Sequence, residues 1–112
     1  MDKRQIERLK TRLGFRRHEL QLSIRSQLQY ARKTEPEPDA MDRATNEYEK
    51  ESVFQRSNGE KQLLGMVESA LRRIGDGSFA KCQSCGKEIG GARLKAVPWT
   101  PYCIQCQEAF ER

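Results

Sequence analysis

The sequence predicts a mainly α-helical chain: a long antiparallel two-helix coiled-coil hairpin attached to a small four-cysteine module with a short C-terminal helix. Three observations carry this. A helical apolar stripe runs through residues 2–33, and a Pro-Glu-Pro break at 36–38 is followed by a second stripe ending near residue 74. Two Cys-x2-Cys pairs then fall in the last third.

The first stripe comprises Ile6, Leu9, Leu13, Leu20, Ile24 and Leu28, spaced 3, 4, 7, 4 and 4 residues apart, with no proline and a single glycine, Gly14. That period marks one face of one helix, with a gap at Arg16 and Arg17 and with Phe15 and Leu22 off the stripe. Such a helix is roughly 45–50 Å long at 1.5 Å per residue, and a seam so narrow needs a partner helix. Pro36 and Pro38 forbid continuation, so a turn follows. The second helix is expected from about residue 39 to about 74. Its seam is clear at Leu64, Val67, Leu71 and Ile74, and weaker at Met41, Ala44, Tyr48 and Phe54. Ser57, Asn58 and Gly59 are poor helix formers, which leaves a bend or fraying open there. Gly75, Asp76 and Gly77 end the helix. The expected division is therefore 1–77 for the hairpin, with its tip at about 34–44, and 78–112 for the cysteine module.

Of the 112 residues, 36% are hydrophobic and 33% charged, with a mean hydropathy of −0.89. A chain this small and polar cannot bury a generous core, so a hairpin and a metal staple are the expected devices. No apolar run is long enough to span a membrane, and the start lacks the apolar core of a secretory signal. A cytoplasmic location is expected, where thiols stay reduced and four cysteines read as a metal site.

Cys82-x2-Cys85 and Cys103-x2-Cys106, separated by seventeen residues, have zinc-ribbon spacing. Four thiolates suit one structural Zn2+, Gly86 suits the tight turn after the first pair, and Lys81 and Lys87 offset negative charge. A redox CxxC couple and an iron–sulfur cluster are the competing readings. His18 lies far away in the first helix and is read as a surface residue. A closed four-sulfur shell has no open position for catalysis, and no nucleophile elbow, phosphate loop or His–carboxylate pair occurs elsewhere. No enzymatic activity is expected.

The net charge of +5 is uneven: +7 over residues 1–33, −3 over 34–75 and +1 over the rest. Residues 35–51 hold seven acids against two bases. Asp39 suits an N-cap, with Asp42 three residues on, and a capped helix start presents carboxylates rigidly.

The tip Asp39-x-x-Asp42-x-Ala44, the helix end Ala70-Leu71-Arg72-Arg73-Ile74-x-Asp76-Gly77, and Cys82, Cys85, Gly86, Ile89, Arg93, Leu94, Ala96, Pro98, Cys103 and Cys106 together resemble the DksA/TraR family. The resemblance covers nearly the whole chain. It implies a regulator that inserts its coiled-coil tip into the secondary channel of RNA polymerase, leaves the zinc end outside, and alters promoter-complex lifetime without sequence-specific DNA binding. Asp39, Asp42 and Ala44 are the residues it assigns to that effect. A monomer that touches no membrane is expected. Longer family members carry a segment before the coil, whereas this sequence begins almost at it. Family positions that hold the alarmone ppGpp through basic side chains align with Met66, Val97 and Gln107, none charged. Phosphate binding without cations is weak, so ppGpp is not expected to bind there. The alternatives are a nucleic-acid-binding zinc module using the basic residues of 3–17, and a zinc or redox sensor or adaptor with another partner. The arginine row Arg4, Arg8, Arg12 and Arg16 reads either as solvated surface or as a contact for acidic groups.

Overall fold

The computed structural model describes the backbone of residues 1–33 and 40–112 and the side chains of residues 1–30 and 48–112. The Pro36–Pro38 turn, Asp39, and the side chains of Met41, Asp42 and Ala44 lie outside the described residues. Helix α1 spans Lys3–Lys33, α2 Ala40–Asp76, α3 Gly91–Ala96 and α4 Ile104–Glu111. Among the described residues the only extended pairing is an isolated antiparallel bridge between Lys81 and Glu88. The mainly α-helical architecture is thus as the sequence predicts, including the short C-terminal helix.

Helix ends are fixed by local chemistry. Asp2 and Gln5 form a reciprocal capping box: the Gln5 N–H donates to Asp2 Oδ1 (2.8 Å) and the Asp2 N–H to Gln5 Oε1 (3.0 Å). At the other end, α2 runs two residues beyond the expected Ile74. Gly77 adopts φ 85°, and the Ser78 N–H donates back to the Arg73 carbonyl at 3.0 Å. This six-to-one bond is the Schellman closure, which needs a left-handed residue after the last helical one. Asp76 accepts from both the N–H and the hydroxyl of Ser78 and locks the exit.

The chain divides into two compact units, one of Met1–Arg17 with Gly65–Arg112 and one of His18–Leu64. In the first, α1 buries Leu9 and Leu13, α2 buries Val67 and Ala70, and the cysteine module buries Phe79, Cys82, Ile89 and Leu94. Fully burying one such large apolar side chain stabilises by about 1.5–3 kcal/mol, so this small set carries most of the apolar driving force.

In the second unit α1 and α2 pair in antiparallel, with Leu20 and Ile24 buried. Gln27 of α1 donates to Glu60 of α2 (3.2 Å), and Tyr30 donates to Glu49 (2.9 Å). The α2 seam here differs from the expected one. Tyr48 and Phe54 are 77% and 69% exposed, and Leu28 of α1 is also largely exposed. Covered positions of α2 that recur at alternating intervals of four and three are Val53, Ser57, Glu60, Leu64, Val67, Leu71 and Ile74, with Ala70 and Arg73 buried beside them. That is a heptad register, and Phe54 sits one residue, about 100°, off it. On α1 the same register runs Ile6, Leu9, Leu13, Arg16, Leu20, Ser23 and Gln27, so the apparent gap at Arg16 is a half-buried polar position.

Ser23, Gln27, Ser57 and Glu60 therefore make a polar layer inside the pair. Gln27 also donates to Ser23 (3.0 Å), and Arg56 reaches Glu60 at 3.4 Å. Burial pushes the Glu60 carboxyl up, but hydrogen bonds from Ser23, Gln27 and Arg56 outweigh it and hold the group below its ordinary value. The layer is incompletely satisfied: Gln27 Oε1, Ser57 Oγ and Glu60 Oε2 are buried without partners. Polar seam residues of this kind specify register at a cost in stability.

Helix α2 continues through Ser57, Asn58 and Gly59. A Cβ on Gly59 would meet nothing within 4 Å. Gly59→Ala is therefore expected to raise stability by about 0.5–1 kcal/mol, the helix-interior difference between the two residues. Urea denaturation followed by helical circular dichroism measures it; a loss of stability would show that Gly59 is needed for more than helix continuity.

Candidate metal centre

The four cysteines are presented by two short backbone devices. In the first, the Cys82 carbonyl accepts the Gly86 N–H (3.0 Å), and the Ser84 N–H points at Cys82 Sγ (3.4 Å). Gly86 adopts φ 76°, a conformation that favours glycine, so the chain can reverse directly after Cys85. The Cys82 N–H then donates to the Lys87 carbonyl (2.8 Å) and the Ile89 N–H to the Ala80 carbonyl (2.7 Å), which closes a small hairpin. In the second device Cys103 is the N-cap of α4, and its carbonyl accepts the Gln107 N–H at 3.0 Å. Cys106 follows one turn later on the same helix. The Gln83 N–H donates to the Pro101 carbonyl (2.8 Å) and ties the two devices together.

The structure brings Cys82, Cys85, Cys103 and Cys106 together with all four sulfurs within 4.8 Å of one another. None is disulfide-bonded, and Cys85 Sγ lies 3.8 Å from Cys103 Sγ. A Zn–S bond of about 2.3 Å in tetrahedral geometry gives sulfur–sulfur edges of about 3.8 Å. The donor set and spacing therefore fit a zinc ion. Cys82 is buried and Cys85 exposed.

The thiols are unequal. Burial pushes Cys82 up, but backbone N–H groups of Cys85, Cys103 and Ser84, with the Cys85 thiol, bring it down to about 6. Cys103 is lowered, chiefly by the Cys106 N–H. Cys106 is pushed up to about 12, first by the Cys103 side chain. Four thiolates cannot coexist in this volume without a cation, so binding a dication must release protons and must weaken as pH falls.

Two arginines support the second cysteine pair. Arg93 of α3 donates from Nε to the Tyr102 carbonyl (3.0 Å) and from Nη2 to Thr100 Oγ1 (3.2 Å). Thr100, only 3% exposed, donates in turn to the Tyr102 carbonyl at 3.1 Å. Arg73, 7% exposed, donates to Ser69 Oγ (2.8 Å) and makes a long contact of 3.5 Å with the Thr100 carbonyl. Its desolvation lowers the guanidinium pKa, and Nε is left without a partner. Arg73 and Arg93 stand in the sequence motifs, but their grip on residues 100–102 was not legible there, and neither was the role of Thr100. Tyr102 packs edge-on against Phe110, with ring centroids 4.8 Å apart at 71°. Trp99 is half-buried and His18 is exposed on α1.

Because Arg93 orients the residue before Cys103, Arg93→Ala is expected to weaken zinc affinity about 10- to 100-fold while leaving the four sulfurs in place. Competition with a chromophoric chelator reads this directly. Unchanged affinity would mean that the second pair is positioned without Arg93.

Comparison with known proteins follows the same division of the chain. The family described as DnaK suppressor protein DksA, N-terminal domain, matches residues 5–74. The family described as Prokaryotic dksA/traR C4-type zinc finger matches residues 77–112. The RNA polymerase-binding transcription factor DksA of Caulobacter vibrioides is 33% identical over all of this chain and 80% of its own length. That of Escherichia coli K12 is 38% identical over 66% of this chain and 49% of its own. The solved structure of transcription factor DksA2 from Pseudomonas aeruginosa superposes with a TM-score of 0.86 at 32% identity, covering 99% of this chain and 86% of that one. A Chlamydia trachomatis relative, at 23% identity and a TM-score of 0.63, shares the fold. With a family match over most of its length and a relative aligned end to end, the chain belongs to the DksA/TraR family.

Proposed function

We propose that this chain is a DksA-like, non-enzymatic transcription regulator that binds bacterial RNA polymerase in the cytoplasm and holds one structural zinc through Cys82, Cys85, Cys103 and Cys106. The observation that carries the reading is its end-to-end relation to a protein named as an RNA polymerase-binding transcription factor. The convergence of four sulfurs at zinc-ligand spacing supports the metal assignment. In this reading residues 1–77 form the hairpin part and 78–112 the zinc part. The protein works as a monomer, without membrane attachment or sequence-specific DNA binding.

The hairpin tip enters the polymerase secondary channel and modulates initiation through Asp39, Asp42 and Ala44. A closed sulfur shell has no vacant position for substrate, so the metal's role is to fold the cysteine module. The candidate ppGpp positions Met66, Val97 and Gln107 carry no cation, and Gln107 donates its amide to Glu111 (3.0 Å). The proposal therefore includes no ppGpp site at these positions, and binding at micromolar or tighter affinity there, in equilibrium titration, would exclude that part.

The deciding experiment compares wild type with Asp42→Asn at a short-lived ribosomal-type promoter, with zinc content and helicity matched. Wild type is expected to shorten open-complex lifetime. The variant is expected to bind polymerase but lose about tenfold of the effect, or about 1.4 kcal/mol. If neither protein competes for the secondary channel, the polymerase assignment fails and the metal assignment stands alone.

A further inference from the structure

The first unit is strongly basic at its N-terminal helix. Residues 1–17 carry Lys3, Arg4, Arg8, Lys10, Arg12, Arg16 and Arg17 against Asp2 and Glu7. Arg4, Arg8 and Arg12 follow one another at intervals of four, on one face of α1. Like charges at that spacing repel by about 0.2–0.5 kcal/mol per pair, so the row is a cost to the isolated helix. Arg8 and Arg12 open onto a cleft of about 220 Å³ between α1 and α3, lined also by Met1, Gln5, Leu9 and Lys95.

The cleft has three properties of an anion site. No acidic side chain lines it, while three cationic ones do. One cation is held in advance: Arg12 Nη1 donates to the Lys95 carbonyl at 3.0 Å, which fixes the guanidinium and leaves its other N–H groups available. Leu9, only 3% exposed, adds a fixed apolar wall to the cleft. Gln5 is engaged in the capping box, so the charged side chains that line the cleft are Arg8, Arg12 and Lys95. Planar guanidinium forks and a point-charge ammonium suit a tetrahedral oxyanion.

We infer that the α1–α3 cleft ringed by Arg8, Arg12 and Lys95 binds phosphate-class oxyanions, with inorganic pyrophosphate as the two-phosphate probe that matches its size. The site shares no lining residue with Met66, Val97 or Gln107, and it does not depend on the polymerase reading. A volume of this size accommodates one or two phosphate groups, so recognition rests on phosphate and not on an attached base or sugar.

The test uses the zinc-loaded 112-residue chain and amide chemical shifts during titration with pyrophosphate at constant ionic strength. A saturable shift centred on residues 8–12 and 94–96 is expected, with affinity falling about tenfold or more in Arg8→Gln and in Lys95→Gln. Both positions are exposed, so the variants should keep wild-type zinc content and helicity; if one does not, the other carries the test. Adenosine diphosphate binding no more tightly than pyrophosphate would support phosphate-only recognition. The inference is overturned by linear, non-saturating shifts, by shifts spread over every basic residue, or by wild-type affinity in both variants.

Discussion

The convergence of four cysteine sulfurs is the constraint on which the rest of the first unit depends. The buried apolar residues of the cysteine module are Phe79, Cys82, Ile89, Leu94 and Pro98, and one of these is itself a candidate ligand. So few buried apolar side chains make a small core for a module of this length, the situation in which a metal commonly acts as a staple. Outside the short helices α3 and α4, the backbone of the module contributes one isolated bridge and a few turn bonds. A dication drawing four thiolates to one point would supply further cohesion, and the paired turns around Gly86 and Cys103 bring the sulfurs close enough to permit it.

From the cysteines, order is passed outward by arginine. Arg93 grips the Thr100 hydroxyl and the Tyr102 carbonyl, and Arg73 reaches the Thr100 carbonyl from the last turns of α2. Both exploit the fork geometry of the guanidinium, which can hold two acceptors at once where lysine would hold a point. The incomplete satisfaction of Arg73 shows that this link is not free. The Schellman closure at Gly77 and the Asp76–Ser78 bonds complete the same junction, so the helix exit and the metal module share one hydrogen-bonded seam.

What the sequence made legible follows from the range of each signal. The cysteine spacing, the two helices and the C-terminal helix are local patterns, and all are found. Between residues 48 and 60 the seam of α2 departs from the apolar pattern because Tyr48 and Phe54 are apolar but off register, while Ser57 and Glu60 are polar but on it. Apolar periodicity cannot reveal a position filled by a hydrogen-bonded pair such as Gln27 and Glu60, whose partner lies 33 residues away. Helix propensity likewise made Gly59 look like a bend, although tertiary pairing holds α2 continuous there. The sulfur cluster was readable; its support by Arg73, Arg93 and Thr100 was not, because those contacts close only in three dimensions.

The most direct test of this account is metal analysis coupled to folding. Zinc content would be measured in the purified chain, and amide dispersion of residues 78–112 would be followed as a strong chelator removes the ion. The account predicts one zinc per chain, with loss of ordered signals from those residues upon removal and their return when zinc is restored, while the Gln27–Glu60 helix pair persists. A cysteine module that stays fully ordered without metal, or a chain that holds no stoichiometric zinc, would contradict it.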